Sequence, residues 1–134
     1  MLQPKKIKFL KKHRLNLKGI TYFKGILHFG SYGIQSIESG FITVNQIEAV
    51  RKILKNYIKP LGKLLIVIFP HHPYTQKSEG SRMGSGKGSV KKWISLVKNG
   101  KILFELDNIS LDVAKKACSL ASAKLPLKTR FIIK

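Results

Sequence analysis

Short apolar stretches separated by glycine follow residue 19 in this chain. Residues 20–23, 25–29 and 32–37 each contain three apolar or aromatic side chains, and glycines stand between or beside them. Runs of this length are typical of short strands, and glycine permits the tight turns that would join them. The pattern therefore predicts three short strands between Gly19 and Gly40.

A helical period begins after Thr43. Thr43 and Gln46 have the spacing of a capping box, in which the two side chains satisfy free amides at the start of a helix. The apolar positions that recur at helical spacing are Ile47, Val50, Leu54, Tyr57 and Ile58. Pro60 and Gly62 are expected to end this helix.

The middle of the chain alternates between apolar runs and turn residues. Residues 63–69 form a continuous β-rich run, apolar from Leu64 to Phe69, which predicts a central strand covered on both sides. Residues 74–77 are expected to form a short strand. Two further strands are predicted at residues 93–97 and 102–106, and Asn99-Gly100 between them is a strong signal for a hairpin.

A second helix is predicted near the carboxyl end. Ser110 is placed to cap it, and Asp112 lies in its first turn. Its expected buried residues are Val113, Ala114, Ala117, Cys118, Ala121 and Leu125. Pro126 should stop the helix, and residues 128–133 should form a closing strand. The fold class expected is α+β, with two helices packed on a mixed, mostly antiparallel sheet.

Charge changes this picture more than any other property of the sequence. The 134 residues contain 26 Lys and Arg against 6 Asp and Glu, a formal charge of +20. A chain of this length forms one domain, and such a surplus of cations favours a polyanionic partner, with nucleic acid before a membrane surface. The sequence contains no apolar run long enough to cross a membrane.

The single cysteine, Cys118, is expected to be a small buried residue rather than a reactive thiol.

Residues 1–19 form a basic arm without any acidic side chain. Apolar residues such as Ile7, Phe9 and Leu10 are scattered through it, and they need a surface to pack on. We expect an RNA-binding extension that orders on its partner, and the alternative is a disordered arm without a function. The cations assigned to RNA binding here are Lys5, Lys6, Lys8, Lys11, Lys12, Arg14 and Lys18.

Glycine, serine and basic residues dominate the stretch from Gly80 to Trp93. A segment with so little apolar content cannot bury itself, so we expect a projecting loop at 77–92 whose backbone and cations face phosphate. The alternative is a flexible surface loop with solvating charges. The spacing does not fit a Walker loop, because Gly86-Lys87 is followed by Gly88 where that motif requires Ser or Thr. It does not fit a dinucleotide fingerprint either, because the glycines precede an expected strand instead of a helix.

Catalytic and metal-binding signatures are missing from the sequence. His71 and His72 lack a cysteine or carboxylate to complete a ligand set, and the few acids form no catalytic pair. We therefore expect neither an enzyme nor a cofactor.

The remaining cations assigned to RNA are Arg51, Lys55, Lys77, Lys91, Lys92 and Lys128.

Seven ordered blocks resemble one known family, large-subunit ribosomal protein sixteen of bacteria and organelles. The resemblance runs along nearly the whole chain, and the block at residues 82–88 is the most diagnostic. The blocks are Met1-Leu-Gln-Pro-Lys-Lys, Phe29-Gly-Ser-Tyr-Gly, Thr43-x-x-Gln-Ile-Glu-Ala, Gly62-Lys with Phe69-Pro, Arg82-Met-Gly-Ser-Gly-Lys-Gly88, Gly100-Lys-Ile-Leu-Phe-Glu105 and Ala121-x-Ala-Lys-Leu-Pro-Leu-Lys-Thr-x-Phe131.

The resemblance implies a structural protein of the large ribosomal subunit. It implies a loop that faces the aminoacyl-tRNA path near the peptidyl transferase centre, with a tip formed by Arg82, Met83, Gly84, Gly86, Lys87 and Gly88. The implied partners are large-subunit ribosomal RNA, tRNA and neighbouring ribosomal proteins, with no membrane, small-molecule substrate or second copy of the chain. The domains expected are the arm at 1–19 and one RNA-binding domain at 20–134.

The chain departs from the family pattern at Lys91-Lys92, where an acid and an aromatic residue are usual, and at His71, where an Asp is usual. These differences concern local RNA contacts. A free-standing RNA chaperone and an RNA-modifying enzyme are the alternative functions. No import or secretory signal is recognised at the start of the chain, and the drift toward lysine and isoleucine favours a mitochondrion, with a plastid or bacterial cytoplasm as alternatives.

Overall fold

The computed structural model of the protein describes residues 2–13, 16–21, 25–58 and 61–134. Seven strands and two helices lie within these ranges. In chain order they are β1 (Tyr32–Ser36), β2 (Gly40–Thr43), α1 (Val44–Ile58), β3 (Lys63–Ile66), β4 (His72–Gln76), β5 (Ser89–Val97), β6 (Ile102–Asp107), α2 (Leu111–Ser122) and β7 (Thr129–Ile133).

The strands form two separate sheets instead of the single sheet expected. One has the order β3-β6-β1-β7 and the other the order β2-β5-β4, and every pairing between these strands is antiparallel. The first sheet contributes Ile34, Phe104 and Leu106 to a core that also contains the buried faces of both helices. The α+β class with two helices is confirmed, as is the closing strand.

The hairpin predicted at Asn99-Gly100 is wrong, because β5 and β6 belong to different sheets. The turn itself exists, and Gly100 has a left-handed φ of 85°. It is held by the end of β1: the Gly100 amide donates to the Ser36 carbonyl at 2.9 Å, and Gln35 Nε2 donates to the Gly100 carbonyl at 2.7 Å. A turn bound in this way separates two strands rather than pairing them.

Helix α1 begins as its capping box predicts. The Thr43 amide donates to Gln46 Oε1 at 2.9 Å, and the Gln46 amide lies 3.4 Å from Thr43 Oγ1. The buried residues of the helix are Ile47, Val50, Leu54 and Ile58. Tyr57, predicted to belong to this stripe, is 46% exposed. The predicted stop at Pro60 lies outside the described residues.

Helix α2 packs against α1 through small side chains. Ser110 occupies the N-cap position as predicted, although its side chain makes no capping hydrogen bond. The buried residues are Ala114, Ala117, Cys118 and Ala121, whereas the predicted Val113 and Leu125 are half-buried. Cys118 is buried as predicted, and burial raises the pKa of its thiol to about 12.

The prediction of a central strand at residues 63–69 is wrong. Strand β3 ends at Ile66 and lies at the edge of its sheet, paired only with β6. Leu64 and Ile66 pack on the core, while Leu65, Val67 and Phe69 are each at least 36% exposed. A continuous apolar run therefore covers one face of an edge strand and leaves the other face open.

The strand predicted at residues 25–29 is replaced by irregular backbone, which the side chain of Glu105 holds. Oε2 of Glu105 accepts hydrogen bonds from the amides of Phe29 at 2.7 Å and Gly30 at 2.8 Å, and Oε1 accepts one from His28 at 3.3 Å. Amides that bind a carboxylate cannot pair with a neighbouring strand. Leu27 lies over the sheet at Gly33, where an added Cβ would come within 2.5 Å of its Cδ2.

The strand predicted at residues 20–23 is reduced to a single bridge within the described residues. Ile20 pairs in parallel with Asn99, and the Thr21 amide donates to the Asn99 carbonyl at 2.9 Å. Residues 22 and 23 of this prediction lie outside the described part of the chain. Within the residues that the structure describes, no helix is long and apolar enough to span a bilayer.

Candidate nucleic-acid interface

The described residues of the basic arm, 2–13 and 16–19, have no regular secondary structure, and their lysines are open to solvent. Leu2 packs on the core and anchors the start of the arm. Phe9 and Leu10 are about 60% exposed, so the surface that the sequence required for them is not supplied by this chain. Exposed lysines stand at positions 5, 6, 8, 11, 12 and 18, and Arg14 lies outside the described residues.

The glycine-rich loop connects β4 to β5 and spans residues 77–88. Strand β5 begins at Ser89, which pairs with Gln76, so residues 89–92 of the predicted loop are strand. An added Cβ at Gly88 would lie 2.6 Å from the Gln76 carbonyl carbon, so only glycine fits where the two limbs meet. The predicted loop at 77–92 therefore overlaps the irregular segment at 77–88 and differs from it at residues 89–92, which belong to β5.

The tip of the loop is exposed to solvent and contains three successive residues with left-handed backbone. Gly84, Ser85 and Gly86 follow one another at φ values of 97°, 54° and 79°. Lys77 Nζ donates to the Gly84 carbonyl across the loop, and Met83 is 98% exposed. Arg82 is also exposed. The tip thus presents backbone amides together with cations, the combination that suits an anion.

Two hydrogen bonds in opposite directions join the loop to the arm. Lys11 Nζ donates to the Lys87 carbonyl at 2.8 Å, and Lys87 Nζ donates to the Lys12 carbonyl at 2.5 Å. The loop therefore rests on the arm rather than on the hydrophobic core. Two basic segments about 75 positions apart in the sequence form one continuous cationic surface, which we call the arm–loop surface (residues 5–12 and 77–88).

The other predicted RNA-binding cations lie elsewhere or have partners of their own. Arg51 forms a two-pronged ion pair with Glu48, at 2.6 and 2.8 Å, and this hydrogen-bonded pairing lowers the pKa of Glu48. Lys128 Nζ lies 3.2 Å from Glu38 Oε1. Lys55 is exposed on α1. Within the described ranges, no hydrogen bond or ion pair connects these three cations to the arm–loop surface.

Strand β5 brings two more cations to the base of the loop. Lys91 and Lys92 are exposed, and Lys92 Nζ lies 5.0 Å from the centre of the Tyr74 ring. Trp93 follows them, half-buried and paired with Pro73 at the base of the loop. The unusual lysines of this chain therefore extend the positive surface toward an aromatic side chain.

His72, which the sequence analysis rejected as a metal ligand, also belongs to this region. The residue is buried in β4, and burial, together with Lys12, His71 and Lys87 nearby, lowers the pKa of its imidazole. A neutral imidazole can both donate and accept a hydrogen bond. No group of three metal-binding side chains occurs among the described residues.

Comparison with known proteins adds a family to this geometry. A family model described as ribosomal protein L16p/L10e matches residues 4–132. The large ribosomal subunit protein uL16c of Cyanidium caldarium is 51% identical over 132 residues, an overlap that covers 98% of this chain and 94% of that protein. The matched region includes the whole arm–loop surface.

Proposed function

The chain belongs to the ribosomal protein L16p/L10e family, and from that membership we propose that its arm–loop surface binds large-subunit ribosomal RNA and helps position aminoacyl-tRNA at the entry site near the peptidyl transferase centre. The protein is a structural constituent of the large ribosomal subunit and not an enzyme. This removes the alternative of an RNA-modifying enzyme.

The observation that carries the proposal is the contact between arm and loop. Lys11, Lys12 and Lys87 come together, although no acidic side chain in the described part of the chain forms an ion pair with any of them. Within a single protein, such a concentration of positive charge is electrostatically unfavourable, and a polyanion relieves it. The two basic segments therefore form one surface for RNA phosphates rather than two independent tails.

Salt dependence tests the RNA-binding part of the proposal. Each phosphate contact releases counterions and contributes roughly −0.7 to −0.9 to the slope of log affinity against log salt. We expect the purified chain to bind large-subunit ribosomal RNA with a slope several times larger than one contact gives, as measured by filter binding across a salt series. A slope near zero would contradict binding through phosphates.

Occupancy of the ribosomal entry site tests the role of the loop tip. Replacing Arg82 and Lys87 together by Ala should lower aminoacyl-tRNA occupancy several-fold, because two cations that face the tRNA are removed from a solvent-exposed loop. The measurement is tRNA binding to ribosomes that carry the variant. Lys115→Ala with Lys116→Ala on α2 removes the same charge from another exposed surface and serves as the control. Equal occupancy in the two double variants would reject this role.

The compartment that we propose is a plastid. The sequence favoured a mitochondrion, and the relative that carries the chloroplast form of the name, uL16c, does not support that expectation but fits the plastid alternative. A free-standing RNA chaperone is distinguished by sedimentation, because a ribosomal protein should travel with large subunits through a sucrose gradient. Recovery only at the top of the gradient would favour the chaperone.

A further inference from the structure

A cavity of about 390 Å³ lies between the arm and the outer face of the small sheet. Asn16 and Leu17 of the arm border one side of it, and β2, β4 and β5 border the other. The side chains of Ile94 and His72, both at most 5% exposed, lie on its floor. The cavity is within the range of about 300–1,000 Å³ that small ligands occupy in proteins.

Aromatic rings and cations meet at this cavity. Phe41 and Tyr74 line it with ring centres 6.4 Å apart and planes tilted by 33°, and Phe41 is 43% exposed. Lys12 and Lys87 also line it, and Lys92 stands beside the Tyr74 ring. Two aromatic faces with ammonium groups at the rim match the two halves of a nucleotide, since a base stacks on a ring and its phosphate binds cations.

We propose that this cavity holds one unstacked nucleotide of a single-stranded RNA segment, with its base against Phe41 and Tyr74 and its phosphate at Lys12 and Lys87. The proposal rests on the proposed RNA-binding function and names a ligand within it. Thr75, Asn16 and His72 also line the cavity, and their side chains carry polar groups of the kind that hydrogen-bond to the edge of a base.

The ammonium groups at the rim of the cavity favour an unpaired nucleotide over the other possible ligands. An apolar side chain of a neighbouring protein would satisfy the aromatic faces but would leave two ammonium groups without an anion. Double-stranded RNA would satisfy the ammonium groups but keep its bases paired and out of reach of Phe41. An unpaired nucleotide provides a base for the aromatic faces and a phosphate for the ammonium groups.

The test uses the full chain and a single-stranded RNA hexanucleotide that carries the fluorescent base 2-aminopurine at one position. Binding should quench the fluorescence, because stacking on an aromatic ring quenches this base. Phe41→Leu should weaken binding roughly 5- to 150-fold, the range that loss of stacking for one base gives. The slope of affinity against salt should not change, since no cation is removed. Tyr74→Leu is a second variant at the same cavity.

Phe69→Leu is the matched control, because Phe69 is 44% exposed, close to the 43% of Phe41, and does not line the cavity. Circular dichroism of each variant establishes that it is folded. If RNA binds with a steep salt slope but neither cavity variant changes the affinity or the fluorescence, the nucleotide site is wrong and the proposed function stands. If the chain binds no RNA at all, both fail. A duplex of the same sequence that binds as tightly and quenches as strongly would also overturn the nucleotide site.

Discussion

Replacing the five lysines of the arm at positions 5, 6, 8, 11 and 12 by Ala is expected to weaken binding to large-subunit ribosomal RNA about a thousandfold. At about 0.15 M salt, each phosphate contact contributes roughly a factor of 4 to 6 relative to 1 M salt. Five contacts therefore account for about three orders of magnitude. The slope of log affinity against log salt should fall in magnitude by about 4. Filter binding over a salt series measures both quantities.

A matched variant separates the position of these charges from their number. Lys52, Lys98, Lys115, Lys116 and Lys124 are also exposed, and replacing all five by Ala removes the same charge from the total of +20. These lysines lie outside the arm–loop surface, so we expect their loss to weaken binding far less. If both sets weaken binding equally, the chain binds RNA through its net charge alone, and the arm has no special role.

Replacing Glu105 by Gln is expected to lower the free energy of unfolding by roughly 3 kcal/mol, because a fully buried carboxylate that accepts three amide hydrogen bonds would lose its charge. One of its oxygens would also become an NH₂ group, which cannot accept from an amide. Denaturant titration measures the loss. Faster hydrogen exchange at the amides of Phe29 and Gly30 should accompany it, since these amides lose their acceptor.

The effect of Glu105 should depend on pH in a defined direction. Burial alone would raise the pKa of this carboxyl, but the hydrogen bonds from the amides of residues 28–30 outweigh it and hold the pKa below its ordinary value of 4.5. A lowered pKa in the folded state stabilises the protein above about pH 4.5, and this contribution is lost as the pH falls through the folded value. The difference between wild type and Glu105→Gln should therefore shrink in acid.

Glu48→Gln is the control for this prediction, because Glu48 lies on the surface and pairs with Arg51. Its replacement should change stability much less, since water screens an exposed ion pair. Similar losses in the two variants, or a Glu105→Gln protein as stable as wild type at neutral pH, would contradict a structural role for the buried carboxylate.

Both helices could be predicted from the sequence because their signals are local. Thr43 and Gln46 bond to each other three residues apart, and the small residues of α2 recur at helical spacing. The same holds for the loop, where glycines and a lack of apolar residues exclude a buried segment. These features depend on neighbours in the chain, which a sequence displays directly.

The division of the strands into two sheets could not be predicted, because it depends on contacts between distant residues. Asn99-Gly100 has the composition of a hairpin turn, but Ser36, more than 60 positions earlier, binds it and directs β5 and β6 to different sheets. Glu105 likewise fixes residues 28–30 from β6 and converts a predicted strand into irregular backbone. No local pattern records which amides a carboxylate will bind.

In the candidate site, too, the local features could be predicted from the sequence and the contacts between distant residues could not. The sequence pointed to the arm and the loop because each contains several lysines. It could not show that Lys87 Nζ reaches the Lys12 carbonyl. It also assigned Arg51 and Lys128 to RNA without revealing their pairing with Glu48 and Glu38. Composition thus predicts the partner class, while geometry determines which cations act together.

The most direct test of this account is the density of a large ribosomal subunit that contains the chain. In that density, we expect the ammonium groups of Lys5, Lys6 and Lys8 to lie within hydrogen-bond distance of RNA phosphates, and the tip at Arg82 to point toward the aminoacyl-tRNA site. An arm and a loop that both face open solvent in the assembled subunit would contradict it.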